Sequence, residues 1–365
     1  MVDHPSTFPS AGENDPVIPS PRGRGRRWLG KLLLLLLALL ILVGGLAAWD
    51  VYRFLHVPPQ EPGESRIVTI TPGMSMVRIS SLLEEEGVVT SGLRFRLYAQ
   101  AMGQAASVQA GEFALHTSWL PERVLDVLTS GRVYLHRLQV PEGLTWWQVG
   151  QLVEQSGLAD FESFARAVAD PDVLRKHHIQ GKNAEGFLFP ETYFLPRPRN
   201  KDARPIVEMM LRSFWRVADE QLWPEGRPSW DVVRETVILA SLVERETGLA
   251  EERERIAGVF ANRLRIGMRL QCDPTVIYGL GPDFSGPLLR VHLEDAANPY
   301  NTYAHSGLPP GPIASPGLAS MRAVLEPEQH NLFYFVSAGD GSHNFSRTLE
   351  EHNRAVRQFR MLRRN

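Results

Sequence analysis

Residues 32–49 form an uninterrupted run of 18 uncharged, almost wholly apolar side chains, opening with Leu32-Leu33-Leu34 and closing at Trp49. At about 1.5 Å of rise per residue, a helix of this length with its flanks crosses a bilayer, where backbone polar groups have to be satisfied within the helix itself. The run reads as one membrane span, residues 29–50, and it divides the chain. Arg22, Arg24, Arg26, Arg27 and Lys31 precede it, whereas Asp50, Arg53, Glu61 and Glu64 follow. The positive-inside rule then puts the short tail in the cytoplasm and the bulk on the far, extracytoplasmic side of the membrane. A cleaved leader, with Gly45 and Ala47 near a processing site, is the other reading, and it sends the remainder across the membrane as well.

Residues 1–28 are rich in Pro, Ser, Gly and Arg without apolar periodicity, and read as a disordered cytoplasmic tail. Residues 51–65, with Val57-Pro58-Pro59-Gln60-Glu61-Pro62-Gly63, read as a stiff spacer. A chain of 365 residues has room for two or three domains with ample core. An internal repeat then appears at an offset of 70 residues. Ile70-Thr71-Pro72-Gly73-Met74-Ser75 leads to Leu82-Leu83-Glu84 and Gly87-Val88; Val140-Pro141-Glu142-Gly143-Leu144-Thr145 leads to Leu152-Val153-Glu154 and Gly157-Leu158. Each copy predicts a strand, a tight turn at Gly, a Ser or Thr N-cap and a short helix stopped by Gly. Between them, Gly111-Glu112-Phe113-Ala114-Leu115 followed by residues 121–128 and Gly131 repeats the strand-then-helix logic. Residues 66–138 read as a small LysM-like α+β module, a type that holds glycan chains, or as a module that serves packing alone. Residues 139–365 read as a larger mixed α/β domain with its polar residues on Gly/Pro-rich loops, as in a site carried by loops on a scaffold. The fold class expected is α+β: an N-terminal transmembrane helix, the small module and the larger catalytic domain.

Composition removes several classes of function. With 39 basic and 41 acidic residues and a net charge of −2, nothing marks a nucleic-acid binder. The single cysteine, Cys272, excludes an internal disulfide framework and a cysteine-rich metal site. No Gly-x-Ser-x-Gly elbow, phosphate loop or His-Glu-x-x-His pair is present. The spacing of His343 and His352 matches no common ligand pattern, so no metal is expected, and no step calls for an organic cofactor. Cys272, with no base beside it in sequence, reads as an inert small side chain.

Carboxylates remain. In Ile238-Leu239-Ala240-Ser241-Leu242-Val243-Glu244-Arg245-Glu246-Thr247, at about 100° per residue, Glu246 falls on the stripe of Leu239, Leu242 and Val243. Desolvation there raises the pKa of a carboxyl and makes it able to donate a proton near neutrality. Glu244 points about 200° away, to the side of Val237 and Ser241. Glu246 is alternatively a structural carboxylate paired with an arginine. Glycoside cleavage usually takes two carboxyl groups, and Asp273 and Glu191 are the candidate partners, although both also suit turns and loop anchors. A second helix over residues 251–264, with Ile256, Val259, Phe260 and Leu264 on one side and Gly267 after it, is expected to pack beside the Glu246 helix and deliver the loop of Gln271 and Asp273. Asn301-Thr302-Tyr303 offers amide, hydroxyl and ring surfaces suited to sugars.

Five segments together carry a resemblance. Glu-Gly-x-Leu-Phe-Pro-Glu-Thr-Tyr (185–193), Ala-Ser-Leu-Val-Glu-Arg-Glu-Thr (240–247), Val-Phe-x-Asn-Arg-Leu-x-x-Gly-Met-x-Leu-Gln-x-Asp-Pro-Thr-Val-x-Tyr-Gly (259–279), Asn-Thr-Tyr with Gly-Leu-Pro-Pro-Gly-Pro-Ile and Pro-Gly (301–317), and Tyr-Phe-Val-Ser-x-Gly-Asp-Gly-x-His-x-Phe (334–345) resemble the MltG-type (YceG-like) endolytic murein transglycosylases. The resemblance implies a lyase that cuts the β-1,4 bond between N-acetylmuramic acid and N-acetylglucosamine within nascent peptidoglycan strands. It acts without water or cofactor, leaves a 1,6-anhydro end, and works at the inner membrane beside peptidoglycan synthases. It also implies Glu246 as the catalytic acid/base, with Glu244 as the fallback, and Glu191, Gln271, Asp273, Asn301 and Tyr303 as substrate-binding candidates. A hydrolytic muramidase using Asp273 to activate water, and a non-catalytic glycan-binding scaffold, are the rival functions.

Overall fold

The computed structural model describes residues 24–362; residues 1–23, most of the tail expected over 1–28, lie outside them. The chain divides into two compact units, one reaching Arg132 and the other starting at Val133.

In the first unit, helix α1 (Arg24–His56) carries the apolar run. Its stretch Trp28–His56 has a mean hydropathy of 2.8 over the most apolar window, and none of that window is buried against protein, which is consistent with a single-pass membrane anchor. The helix continues past the expected limit at residue 50 because nothing in Val51-Tyr52-Arg53-Phe54-Leu55-His56 breaks it. The two prolines after Val57, which lack the N–H a helix needs, coincide with its end. Strand β1 (Ser65–Ile70), helices α2 (Met76–Glu85) and α3 (Gly92–Ala101), strand β2 (Gly111–His116) and helix α4 (Pro121–Thr129) follow. β1 and β2 pair antiparallel from Ser65↔His116 to Ile70↔Gly111. Val68 and Ile70 alternate inward with Phe113 and Leu115, and all four are buried.

The second unit contains β3 (His136–Gln139), α5 (Trp146–Gln155), α6 (Phe161–Val168), α7 (Pro171–Lys176), β4 (Thr192–Leu195), α8 (Arg204–Gln221), α9 (Trp230–Glu246), α10 (Arg253–Arg265), α11 (Asp273–Leu280), α12 (Arg290–Glu294), α13 (Leu318–Leu325), β5 (Tyr334–Ser337), β6 (His343–Ser346) and α14 (Leu349–Leu362). β3 pairs with β4 and β5 with β6, both antiparallel. The fold is thus mixed α+β with one long apolar N-terminal helix.

The 70-residue repeat has the same local form twice. β1, Gly73 (φ 80°), the Ser75 cap, α2 and Gly87 (φ 69°) match β3, Gly143 (φ 76°), the Thr145 cap, α5 and Gly157 (φ 70°). Ser75 Oγ accepts from Arg78 N, and Thr145 closes a full capping box with Gln148. The strands differ in partner, since β1 pairs with β2 and β3 with β4. Residues 133–138, grouped with the small module on sequence, therefore belong with the second unit.

Helix α9 is the spine of this unit because two apolar clusters claim different sides of it. Val233, Val237 and Ala240 pack with Phe187, Met210 and Phe214 in one cluster. Ile238, Leu242 and Val243 pack with Ile256, Phe260, Leu270 and Cys272 in the other. Each fully buried aliphatic side chain contributes roughly 1.5–3 kcal/mol, so the position of α9 is fixed from both flanks. α10 packs beside α9, with Ile256, Val259 and Phe260 buried. The turn at Gly267 (φ 68°) then returns the chain to α9.

Candidate active site

The stripe of Leu239, Leu242 and Val243 packs into the second cluster, and Glu246, one turn further, is the last residue of α9. There the core gives way to a cleft of about 440 Å³ lined by Glu246, Arg263, Gln271, Asp273, Tyr303 and residues from β5, β6 and α14. Burial pushes the Glu246 carboxyl above its ordinary range, and the charge of Asp273 adds to the push. A hydrogen bond from the Cys272 thiol and the charges of His343 and Arg263 act against it. The carboxyl also stands at the negative end of the α9 dipole, which further disfavours ionisation. A carboxyl so placed keeps its proton to higher pH than a free one.

Two loops stapled together bring the polar groups to this acid. Arg263, buried on α10, donates through Nε to Phe333 O at 2.6 Å and through Nη1 to Leu270 O. Gln271 takes a left-handed backbone conformation (φ 49°), and its N–H donates to Thr302 O at 3.2 Å. Cys272 N donates to Thr302 Oγ1 at 2.9 Å, and the Thr275 and Thr302 hydroxyls meet at 2.9 Å. Across this join, Tyr303 Oη donates to Asp273 Oδ1 at 2.5 Å. Burial, with the Asp273 hydrogen bond and charge, pushes the Tyr303 phenol up, so it stays a donor. Cys272, likewise raised by burial and by the charge of Glu246, stays a thiol.

The other expected positions lie apart from this cleft. Asn301 is fully buried, with Nδ2 donating to the carbonyls of His292, Leu293 and Asp295 and Oδ1 accepting from Tyr303 N at 2.9 Å. It anchors the loop that carries Tyr303. Glu191 precedes β4 and accepts from Ser213 and, at 3.3 Å, from Arg216, both on α8. Glu244 turns to α13, where Oε2 accepts from Gly317 N at 3.0 Å and Ser320 Oγ at 2.7 Å. Glu185, first residue of its motif, is buried, and its carboxyl is pushed up to about 8 by desolvation against hydrogen bonds from Trp146 N, the Tyr278 hydroxyl and Gly186 N.

Sequence reasoning missed three members of the cleft network. His343 Nδ1 donates to Glu252 Oε2 at 2.6 Å, and its backbone N donates to Glu252 Oε1 at 2.8 Å. Although burial opposes it, hydrogen bonding by His343 and Thr247 holds the Glu252 carboxyl below its usual range. Arg263 and His343 stand inside the motif segments, whereas Glu252 stands in none. Among the described residues no group of three or more His, Cys, Asp or Glu side chains is arranged to hold a metal ion.

Comparison with known proteins identifies the family of the chain. The model of the YceG-like family matches residues 68–358. The endolytic murein transglycosylase of Bacillus subtilis is 30% identical over 336 residues, which cover 87% of this chain and 91% of the relative. The endolytic murein transglycosylase of Streptococcus pneumoniae serotype 2 is 29% identical over 334 residues, 82% of this chain and 59% of that longer protein. A crystal structure of a YceG-like protein from Listeria monocytogenes is 30% identical, with a TM-score of 0.52 over 80% of this chain and 99% of the other. The family match spans all five motif segments and every residue of the Glu246 cleft, and the chain belongs to the YceG-like family.

Proposed function

We propose that this protein is a membrane-anchored lytic transglycosylase that cuts inside nascent peptidoglycan strands at the β-1,4 bond between N-acetylmuramic acid and N-acetylglucosamine. The observation that carries the reading is a single carboxyl, Glu246, with its ordinary pKa raised by burial, at the wall of a cleft in a YceG-like chain. Glu246 protonates the glycosidic oxygen as the bond to the muramyl C1 breaks. The muramyl C6 hydroxyl attacks C1 from within the same sugar, and its proton returns the carboxylate to the acid form. An intramolecular nucleophile needs no activated water, so one acid/base group suffices and the product carries a 1,6-anhydro end. Gln271, Asp273 and Tyr303 contact the sugars flanking the bond; Asn301 and Glu191 act through the loops they anchor.

The first unit, as a LysM-like module, holds the strand while the second cuts it. The basic residues before α1 keep the tail cytoplasmic, so the cleft works on the outer side of the inner membrane, beside the synthases that extrude new strands. Incubating the full-length protein in detergent with uncrosslinked, lipid-linked glycan, followed by mass analysis of the products, tests the reading. Anhydro-muramyl ends are expected. Reducing ends would replace it with hydrolysis through Asp273, and intact strands with a glycan-binding scaffold.

A further inference from the structure

The reaction proposed above has two proton transfers, and the cleft holds a second group built to carry a proton. Both oxygens of Glu252 accept from His343, Oε2 from ring Nδ1 at 2.6 Å and Oε1 from the backbone N–H at 2.8 Å, while Oε2 also accepts from the Thr247 hydroxyl at 3.3 Å. A carboxylate only accepts hydrogen bonds, so in the neutral ring the proton sits on Nδ1 and Nε2 carries the lone pair. The ring is held further by Phe335, edge-on at a centroid distance of 5.4 Å. Among the described residues Nε2 takes no hydrogen bond from protein, while the ring lines the cleft together with Glu246. The pair is well shielded, with 12% of the His343 side chain and 7% of the Glu252 side chain exposed. A buried carboxylate that accepts from the ring nitrogen of one imidazole is an arrangement by which proteins fix a histidine tautomer for proton transfer.

We propose that His343, oriented by Glu252, is the base that takes the proton of the attacking sugar hydroxyl, so that Glu246 serves as the acid alone. This rests on the transglycosylase reading and reassigns one of its steps. Glu246 gives its proton to the glycosidic oxygen as the C1–O bond breaks. The C6 oxygen forms its bond to C1 while its proton passes to His343 Nε2. The imidazolium, stabilised by the Glu252 carboxylate, then releases a proton to water, and the Glu246 carboxylate takes one back. No proton or electron is consumed overall.

The charged and titratable groups facing His343 come from each element around it. Glu252 lies in the turn before α10, Glu246 ends α9 and Asp273 begins α11. Arg263 on α10, Tyr303, Tyr334 on β5 and His352 on α14 complete the set.

The test is the pH profile of kcat/KM for anhydro-end formation by the full-length protein in detergent, using uncrosslinked glycan. An acid acting alone gives a single limb that falls at high pH. A separate base adds a limb that falls at low pH. His343→Gln is expected to lower kcat/KM by roughly 10²-fold and to abolish the low-pH limb. Glu252→Gln keeps an acceptor for Nδ1 but removes the charge that stabilises the imidazolium, and is expected to move the low-pH limb further down. If the wild type forms anhydro ends and His343→Gln matches it in rate and profile, the base assignment is overturned while the transglycosylase reading stands. If Glu252→Gln leaves the low-pH limb in place, the orienting role fails. A wild type that forms no anhydro ends overturns both readings together.

Discussion

Glu244 and Glu246 leave the last turn of α9 in nearly opposite directions and end in opposite chemistry. The first is satisfied by Gly317 N–H and the Ser320 hydroxyl at the start of α13. The second faces a cleft, with a thiol and the carboxylate of Asp273 near it. One caps a helix and the other lines a cleft with its pKa raised by burial, although sequence sets them only two positions apart.

Glu246→Gln is therefore expected to lower strand cleavage by about 10³-fold without unfolding the protein, in the range for loss of a general acid. In the wild type the rate should fall as pH rises through the raised pKa of Glu246, because only the protonated form donates. The stability effect has the same direction. A carboxyl whose pKa is higher folded than unfolded binds more protons in the native state, so stability falls as pH climbs past the ordinary carboxylate range. Urea unfolding at pH 5 and pH 8 should show Glu246→Gln gaining on the wild type at the higher pH.

Glu244→Ala removes an acceptor from the first turn of α13 and should cost about 1–2 kcal/mol of stability. Denaturant midpoints measure that loss. Strand cleavage, assayed where both proteins are fully folded, should remain near the wild-type rate.

Cys272 donates to the Glu246 carboxyl and thereby lowers its pKa. Cys272→Ala removes the donor and should move the high-pH limb of the cleavage profile upward. The smaller side chain also leaves a gap beside Leu242 and Leu270, expected to cost roughly 1 kcal/mol in unfolding free energy.

Glu185 gives a separate pH signature. Its carboxyl titrates near 8 in the folded protein, against an ordinary value of 4.5. Over that window its contribution to stability falls with rising pH by about 1.4 kcal/mol per unit. Glu185→Gln should flatten the difference between unfolding free energies measured at pH 5 and pH 8.

Local patterns carried much of this architecture in the linear chain. The period of α9 placed Glu246 beyond Leu242 and Val243, and the Gly and Ser/Thr spacing of the repeat foretold both strand–turn–helix units. The cleft gathers Glu246, Gln271, Asp273 and Tyr303, which the motif segments contain, while Glu191 and Asn301 serve other contacts. Long-range pairing was not legible. Glu252 and His343 are 91 residues apart, and no periodicity links a turn before one helix to a strand near the C-terminus. The Cys272 thiol was equally hidden, because its partner lies on another helix and only folding supplies it.

The turn at Gly143 puts one of two sister motifs to work for its neighbour. Gly143 N donates to Ser315 O at 2.8 Å, and Gly143 O accepts from Arg245 Nη1 at 3.1 Å, on the residue just before the acid. A β-carbon there would lie 3.6 Å from Glu244 Cγ in a backbone conformation that side chains rarely adopt. Its counterpart, Gly73, has open space around the same point. The same turn shape thus stands free in the first unit and in the second serves as a clasp for the tip of α9. A side chain added at Gly143 would be set against Glu244 and Arg245 as well as strained in its backbone, whereas one at Gly73 would meet only backbone strain.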